Sequence, residues 1–277
     1  MPSAISSAID LVEQEMQLKL ITRYPSRGIS PTETGKIIIG KINVLMDNYQ
    51  ALISEGVEVK NSLSGTLRLG LGVAAAAAFM PTLIKPLIKK NANITLKLFE
   101  TDNDKAQSGL VNGDYDAIIF LSDNVKPGFQ SESLMDAPLY LIAPSGFFPE
   151  TQKSVNLSEL HKKPMVLLNG PVISEYYNSI FDENNIRPKI VATAKTNQMV
   201  RSLVGAGLGC SILNLKGASV TTAAGDNIRE IPIEGLARPM GLTLGYKEEY
   251  QRKLVKAFVE ECRKYFQSSQ AKEFLIS

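Results

Sequence analysis

Thr66-Leu67-Arg68-Leu69-Gly70-Leu71, running straight on into Gly72-Val73-Ala74-Ala75-Ala76-Ala77-Ala78, is the stretch that decides the fold. Its leucines alternate with Thr66, Arg68 and Gly70, which is the two-residue period of a strand. The alanines then open a helix over Ala74–Lys90. A strand that passes directly into a helix is the first half of a strand–helix–strand unit. The following residues complete it: strand Ile94–Phe99, a helix near Lys105–Asn112, and strand Ala117–Leu121. This rhythm predicts a parallel sheet with helices on both faces.

Further along, Leu139–Ala143 is a short apolar strand, and Leu157-Ser158-Glu159-Leu160 opens a second cycle. That cycle holds strand Met165–Leu168, helix Ser174–Asn184, strand Lys189–Ala192, helix Asn197–Ala206 and strand Gly209–Leu213. Gly241–Tyr246 reads as a late strand. Lys247–Phe266 reads as a final helix with Leu254, Ala257, Phe258 and Tyr265 on one face. Two α/β cycles joined by extended crossings, with the chain returning to finish the first, predict a two-lobed clamshell.

Working back toward the N-terminus, Gly56–Ser64 is polar and without period, and reads as a hinge. Before it, Ser30-Pro31-Thr32-Glu33 has the pattern of a capping box, with Ser30 as N-cap and Pro31 at the first helical position. The helix it starts runs toward Glu55. Ile38, Ile42, Leu45, Tyr49 and Leu52 alternate four and three apart along it, the narrow seam of a helix that pairs with another helix. The expected partner is a second copy of the chain, as a homodimer or homotetramer. Earlier still, Ile5, Ile9, Val12, Met16 and Leu20 mark an amphipathic helix over Ser3–Leu20. Pro25, Ser26 and Gly28 then punctuate Leu20–Ile29, which predicts a small two-stranded wing bearing Arg23 and Arg27.

Composition excludes several classes. The 277 residues are 44% hydrophobic and 21% charged, which is the balance of an ordinary globular protein large enough for more than one folded unit. A net charge of +2 argues neither for nor against nucleic acid. Met1–Ile21 breaks every apolar run with polar residues, unlike a signal peptide, and Val73–Pro81 is too short to span a bilayer. The expectation is a soluble cytoplasmic protein with no membrane partner. Cys210 and Cys262 lie far apart, and Cys210 sits in the apolar run Gly209–Leu213 as a small buried hydrophobe. The one histidine, His161, follows Leu160 in a Lys-rich helix end, and no GxSxG, HExxH, P-loop or paired CxxC pattern occurs. Gly205-Ala206-Gly207-Leu208-Gly209 precedes a strand rather than following one, so it reads as helix capping and close packing, not a dinucleotide loop. No catalytic residue, metal site or cofactor is expected.

Several local patterns carry a family resemblance, and they occur in order along the whole chain. Pro2–Ile9 with Leu11, Glu13 and Leu18 is similar to the recognition helix of LysR-type transcriptional regulators. Leu20-Ile21-Thr22-Arg23 with Gly28-Ile29 resembles the wing of that family, and Thr32-Glu33-Thr34-Gly35 the start of its linker helix. Gly65–Gly70, Gly113-Asp114-Tyr115-Asp116-Ala117, Leu157–Leu160 and Leu203–Gly209 resemble successive positions of its effector domain. The resemblance implies an α/β fold: a bilobal, periplasmic-binding-protein-like effector domain preceded by a long linker helix and a truncated winged helix-turn-helix. It divides the chain into a partial DNA-reading unit at 1–31, a dimerisation helix and hinge at 32–62, and an effector domain at 63–277. Lobe I then takes about 63–143 and 241–277, and lobe II about 144–240.

The implied function is ligand-responsive transcription regulation, with promoter DNA and a small-molecule effector as partners. DNA contact would fall to Ser3, Ser6, Ser7, Arg23 and Arg27. Two features set that role apart from the family pattern. Met1 stands directly against the recognition helix, where the family has earlier helices that clamp the reading angle, so the expectation is a start lying upstream or impaired DNA binding. Residues 1–60 also hold six Lys+Arg against seven Asp+Glu, weak cover for phosphate contact. The alternative is a small-molecule-binding protein without DNA-binding activity, for which a wing and a pairing helix would have no use.

Strand ends and helix starts mark the effector cleft at Val73–Ala75, Thr101–Asn103, Asn169–Gly170 and Thr196–Met199. The candidate contacts are Val73, Ala74, Thr101, Asn169, Thr196 and Asn197. Many family members carry hydroxyl side chains after the first strand. Here Val73–Ala77 has none, so the expected effector is more apolar than a sulfate or a strongly bound carboxylate.

Overall fold

In the computed structural model, which describes residues 4–24, 28–57, 63–121, 124–235, 238–247 and 252–276, the chain opens with helix α1 (Ala4–Met16). It stops where Gln17 takes a left-handed φ of 52°, four residues before the expected end. No residue of α1 is buried; Ile5 is 71% and Leu11 62% exposed. The wing follows as the antiparallel pair β1 (Ile21–Tyr24) and β2 (Gly28–Pro31). Leu20 and Ile21 are buried at its base.

Helix α2 spans Glu33–Val57. Its cap is Thr32 rather than Ser30: Thr32 Oγ1 accepts the Gly35 N–H at 2.9 Å and donates to the Lys19 carbonyl at 2.7 Å. Ser30 and Pro31 are taken by the wing, where they pair with Thr22 and Ile21. Ladder pairing has overridden the capping pattern there. Along α2, Ile42, Leu45 and Tyr49 of the predicted seam are exposed and Ile38 is half-buried, while the Leu52 side chain lies outside the described residues. Part of the hinge, residues 58–62, also lies outside them.

The first lobe is built on β3 (Gly65–Gly72), α3 (Val73–Lys90), β4 (Ile94–Thr101), α4 (Asn103–Asn112), β5 (Ala117–Leu121) and β6 (Gln130–Ala137). Strand β6 was not anticipated. The chain then crosses into the second lobe at 138–139, because β7 (Tyr140–Pro144) pairs with second-lobe strands. The first lobe therefore ends before the 143 read from the sequence. The second lobe contains β8 (Val155–Asn156), β9 (Pro164–Leu168), α5 (Pro171–Glu183), β10 (Lys189–Ala194), α6 (Asn197–Gly205), β11 (Ser211–Leu213) and β12 (Ile228–Glu234). Strand β13 (Met240–Tyr246) returns to the first sheet, and α7 (Lys253–Gln267) and α8 (Ser269–Lys272) close the chain.

The first sheet has the order β4-β3-β5-β13-β6. It is parallel through β4, β3 and β5, as expected, but β13 enters antiparallel between β5 and β6. In the second lobe β10-β9 are parallel and β11-β7-β12-β8 form a further sheet. A bridge between Met165 and Cys210 joins the two. Gly209 permits this join: a Cβ there would lie 2.3 Å from the Pro164 carbonyl oxygen, and its φ is +151°. This is the close packing expected for the Gly205–Gly209 run. The main core spans both lobes, from Leu67, Leu69 and Phe79 to Ile142, Tyr177 and Phe258.

Candidate functional site

Each lobe sends two helices away from one cleft. In the first lobe β3 and β4 end there, and α3 and α4 begin at their N-caps Gly72 and Asp102. In the second, β9 leads to α5 through its N-cap Gly170, and β10 leads through Lys195 to α6, capped by Thr196. Gly72, Asp102, Gly170 and Lys195 all line a cavity of about 100 Å³ between the lobes. The first N–H groups of a helix have no partner within it, so four helix starts make the cleft rich in donors. Asp102 Oδ1 accepts the Lys105 N–H at 2.8 Å and Thr196 Oγ1 the Met199 N–H at 3.2 Å. Neither α3 nor α5 has a side-chain cap. One uncapped helix start therefore faces the cleft from each lobe.

Asn103 fixes the floor on the first-lobe side. Its Nδ2 donates to the Leu121 carbonyl at the end of β5. A Cβ on Gly72 would stand 2.9 Å from its Oδ1, so the absence of a side chain at 72 lets the strand end approach. Leu121, Leu168, Val172 and Ile173 add an apolar wall. The charges are Asp102, Asp104 and Lys195. Asp102 pairs with Lys105 at 2.9 Å and Asp104 with Lys126 at 2.8 Å. Burial works against ionisation of Asp102, but the Lys105 amide and ammonium outweigh it and lower its pKa. Lys195 is exposed and has no acidic partner among the described residues.

Of the expected effector contacts, Thr101 and Asn169 line the cavity. Asn169 is turned partly inward on its own loop, accepting from Ser174 at 3.2 Å. Val73 and Ala74 form the first turn of α3, and their side chains lie outside the described residues. Thr196 is committed to capping. Asn197 starts α6, and its Oδ1 is buried without a hydrogen-bond partner. Sequence reasoning did not single out Asn103, Lys195, Val172 or Ile173. Asn103 stood inside a recognised helix-start segment, but no local pattern marks Lys195, which matters only because the other lobe faces it.

In the DNA-reading element, Ser6 is half-buried and Ser7 exposed on α1, while Ser3 and Arg27 lie outside the described residues. Arg23 does not stand free on the wing. It pairs with Asp10 of α1 at 2.5 Å. Glu13 Oε1 accepts the backbone N–H groups of Leu20 at 2.6 Å and Ile21 at 2.9 Å, and these bonds, the Ile21 one foremost, lower its pKa. Two acids of α1 thus hold the wing against it. Among the described residues no helix is long and apolar enough to cross a membrane.

Comparison with known proteins agrees with this architecture. The family model described as the LysR substrate binding domain matches residues 60–267. The HTH-type transcriptional regulator TtuA of Agrobacterium vitis is 23% identical over 248 residues, covering 84% of this chain and 81% of its own. The LysR family regulator HinK from Pseudomonas aeruginosa superposes with a TM-score of 0.69 at 22% identity, covering 95% of this chain and 88% of that one. The effector-binding domain of QuiR, solved in complex with shikimate, superposes at 0.65 with 22% identity, covering 77% of this chain and all of that one. With most of its length matched by the family model and its two lobes meeting at one cleft, the chain belongs to the LysR family of transcriptional regulators.

Proposed function

We propose that this regulator senses a compact metabolite in the cleft between its lobes and transmits its presence through α4 to the linker helix α2, and so to DNA. The observation that carries the reading is the meeting of four helix starts, two from each lobe, at a single cavity. A ligand there would bind acceptor oxygens to the uncapped starts of α3 and α5 and to Thr101, Asn169 and Lys195. The apolar wall and the two carboxylates at the rim disfavour a highly charged anion. The effector is therefore a small molecule with acceptor oxygens on an apolar frame and at most one negative charge. The complex of QuiR with shikimate is one instance of a small hydroxylated carboxylate held by this fold.

Helix α4 runs from the cleft to the linker helix. Asp102 and Asn103 at its start lie in the cleft, and Asn112 and Gly113 at its end abut Gly40 of α2. Lobe closure that moves α4 would move the linker helix with it. A ligand shifts such an equilibrium only by its difference in affinity for the two states. The exposed Ile42, Leu45 and Tyr49 of α2 support pairing with a second copy, which would place two α1–wing units for a two-part DNA site. A role as regulator rather than catalyst, in the cytoplasm, is part of the same reading.

The test is a metabolite screen by thermal shift on the full chain, followed by calorimetry on Thr101→Val and Lys195→Ala. A stabilising compound should lose about tenfold in affinity in at least one variant, the worth of one good hydrogen bond to a charged or buried group. Full affinity in both would remove the cleft as the sensor site.

A further inference from the structure

We propose that Tyr176 and Asn214 form a clasp that ties both interlobe crossings to the second lobe and so fixes the angle between the lobes. The crossings leave the first sheet side by side, since Ala137 at the end of β6 lies opposite Met240 at the start of β13. One crossing runs through 138–139 to Tyr140, and the other brings Arg238 back from β12. Short connecting segments of this kind absorb the dihedral changes of domain closure, so what they are tied to decides how far the lobes open.

Asn214 follows β11 in the second lobe and is 3% exposed. Its Nδ2 donates to the Ala137 carbonyl at 3.0 Å and to the Tyr176 hydroxyl at 3.2 Å. That hydroxyl donates in turn to the Arg238 carbonyl at 2.5 Å. Two side chains of the second lobe thus link one crossing to the other. The next two residues are tied at the same place. The Leu215 carbonyl accepts the Tyr140 hydroxyl at 3.0 Å, and the Lys216 N–H donates to the Phe274 carbonyl at 2.9 Å. Phe274 packs edge-on against Phe79 of α3 in the first lobe, with ring centres 4.9 Å apart. Three routes between the lobes therefore meet at 214–216.

Packing does not account for an amide at this position. Asn214 Oδ1 is buried with no hydrogen-bond partner among the described residues, and an unpaired buried acceptor costs stability. What the side chain supplies is its two donors. Tyr176 stands on α5 three and four residues after Ile173 and Val172, and so on the face that walls the cleft. A ligand pressing on the start of α5 would reach both crossings through the clasp; that part alone rests on the cleft being the sensor site.

Double electron–electron resonance on the full chain tests the clasp, with spin labels on Lys85→Cys and Ser158→Cys, exposed positions in the first and second lobes. Cys210 and Cys262 are buried and take no label, and dilution into unlabelled chain removes distances between copies. In Tyr176→Phe a second interlobe distance should rise about tenfold in population, the worth of the two hydrogen bonds that the hydroxyl makes. Asn214→Leu, which cuts the same link at its other member, should match it. Ile180→Val removes a buried methyl group from α5 and no hydrogen bond, so it should lower stability and keep the parent distance. An unchanged distance in either clasp variant overturns the proposal. An equal second population in Ile180→Val also overturns it, because loss of packing would then suffice to loosen the lobes. The measurement holds no ligand, so the clasp and the cleft as sensor site fail separately.

Discussion

Asp10 and Glu13 show how much one turn of helix settles about the DNA-reading element. Arg23 was one of the two wing arginines expected at phosphate, yet its guanidinium is held 2.5 Å from Asp10. A phosphate must compete with that carboxylate, or leave it in place and gain little. Asp10→Asn should therefore raise affinity for a duplex of arbitrary sequence and steepen the dependence of log K on log salt by about one unit, measured by fluorescence anisotropy over a salt series. An unchanged slope would show that Arg23 does not reach phosphate. Glu13 has a different part, since its Oε1 joins α1 to the base of the wing through Leu20 and Ile21. Its pKa is lowered in the folded chain, so the contact it supplies is complete above the ordinary carboxylate pKa and fails as pH falls through the depressed folded value. The Leu20 and Ile21 amide resonances should accordingly titrate with a midpoint below that of a free glutamate, and Glu13→Gln should abolish the titration. Local pattern did announce α1 as an amphipathic helix, but neither bond is local, and neither was legible.

At the scale of elements, the contact between α2 and α4 depends on a missing side chain. A Cβ at Gly40 would lie 1.7 Å from the Asn112 carbonyl oxygen, and Gly113 meets the Gly40 backbone from the other side in a left-handed conformation. Backbone has nowhere to yield, so Gly40→Ala should push α2 off the lobe. Expected is a loss of about 1–3 kcal/mol in urea unfolding and faster proteolysis of the linker, while Asn43→Ala on the open face of α2 stays near the parent. Equal stability of the two variants would mean that α2 is not docked in solution. Two strands that sequence reasoning missed were hidden for different physical reasons. Strand β6 reads Gln130-Ser131-Glu132-Ser133-Leu134-Met135-Asp136-Ala137; it is a sheet edge with one partner, so its outer face is polar and no clean alternation survives. Strand β12 contains Pro232, which argues against a strand in the sequence; in the structure Pro232 lies opposite Tyr140 near the strand's end. Central strand β5 was legible because burial on both faces leaves a near-continuous apolar run, and β3 because its leucines alternate with Thr66, Arg68 and Gly70.

At the scale of the whole molecule, the exposed apolar row on α2 is a surface with no partner among the described residues. Leu45 is 66%, Tyr49 57% and Ile42 39% exposed on a helix that already uses Gly35 and Gly40 against its own chain. Sedimentation velocity should give a multiple of the 30.2 kDa chain mass, and Leu45→Glu should shift it toward that mass, because a buried unpaired charge costs more than the seam returns. A monomer in the unaltered chain would sink the pairing role of α2. The sequence alone determined most of the succession of strands and helices, the two α/β cycles behind the two-lobed plan and most of the helix starts, since those rest on periodicity and capping within a dozen residues. It did not determine which of those starts face one another. Thr101 and Asn169 stand in the cleft with Lys195, whereas Thr196 is consumed as a cap and Arg23 as a partner of Asp10. The Thr196 cap is a local bond to Met199, but the Arg23–Asp10 pair and the shared cleft join residues separated in the chain, which only the folding of the wing onto α1 and the packing of the two lobes bring about.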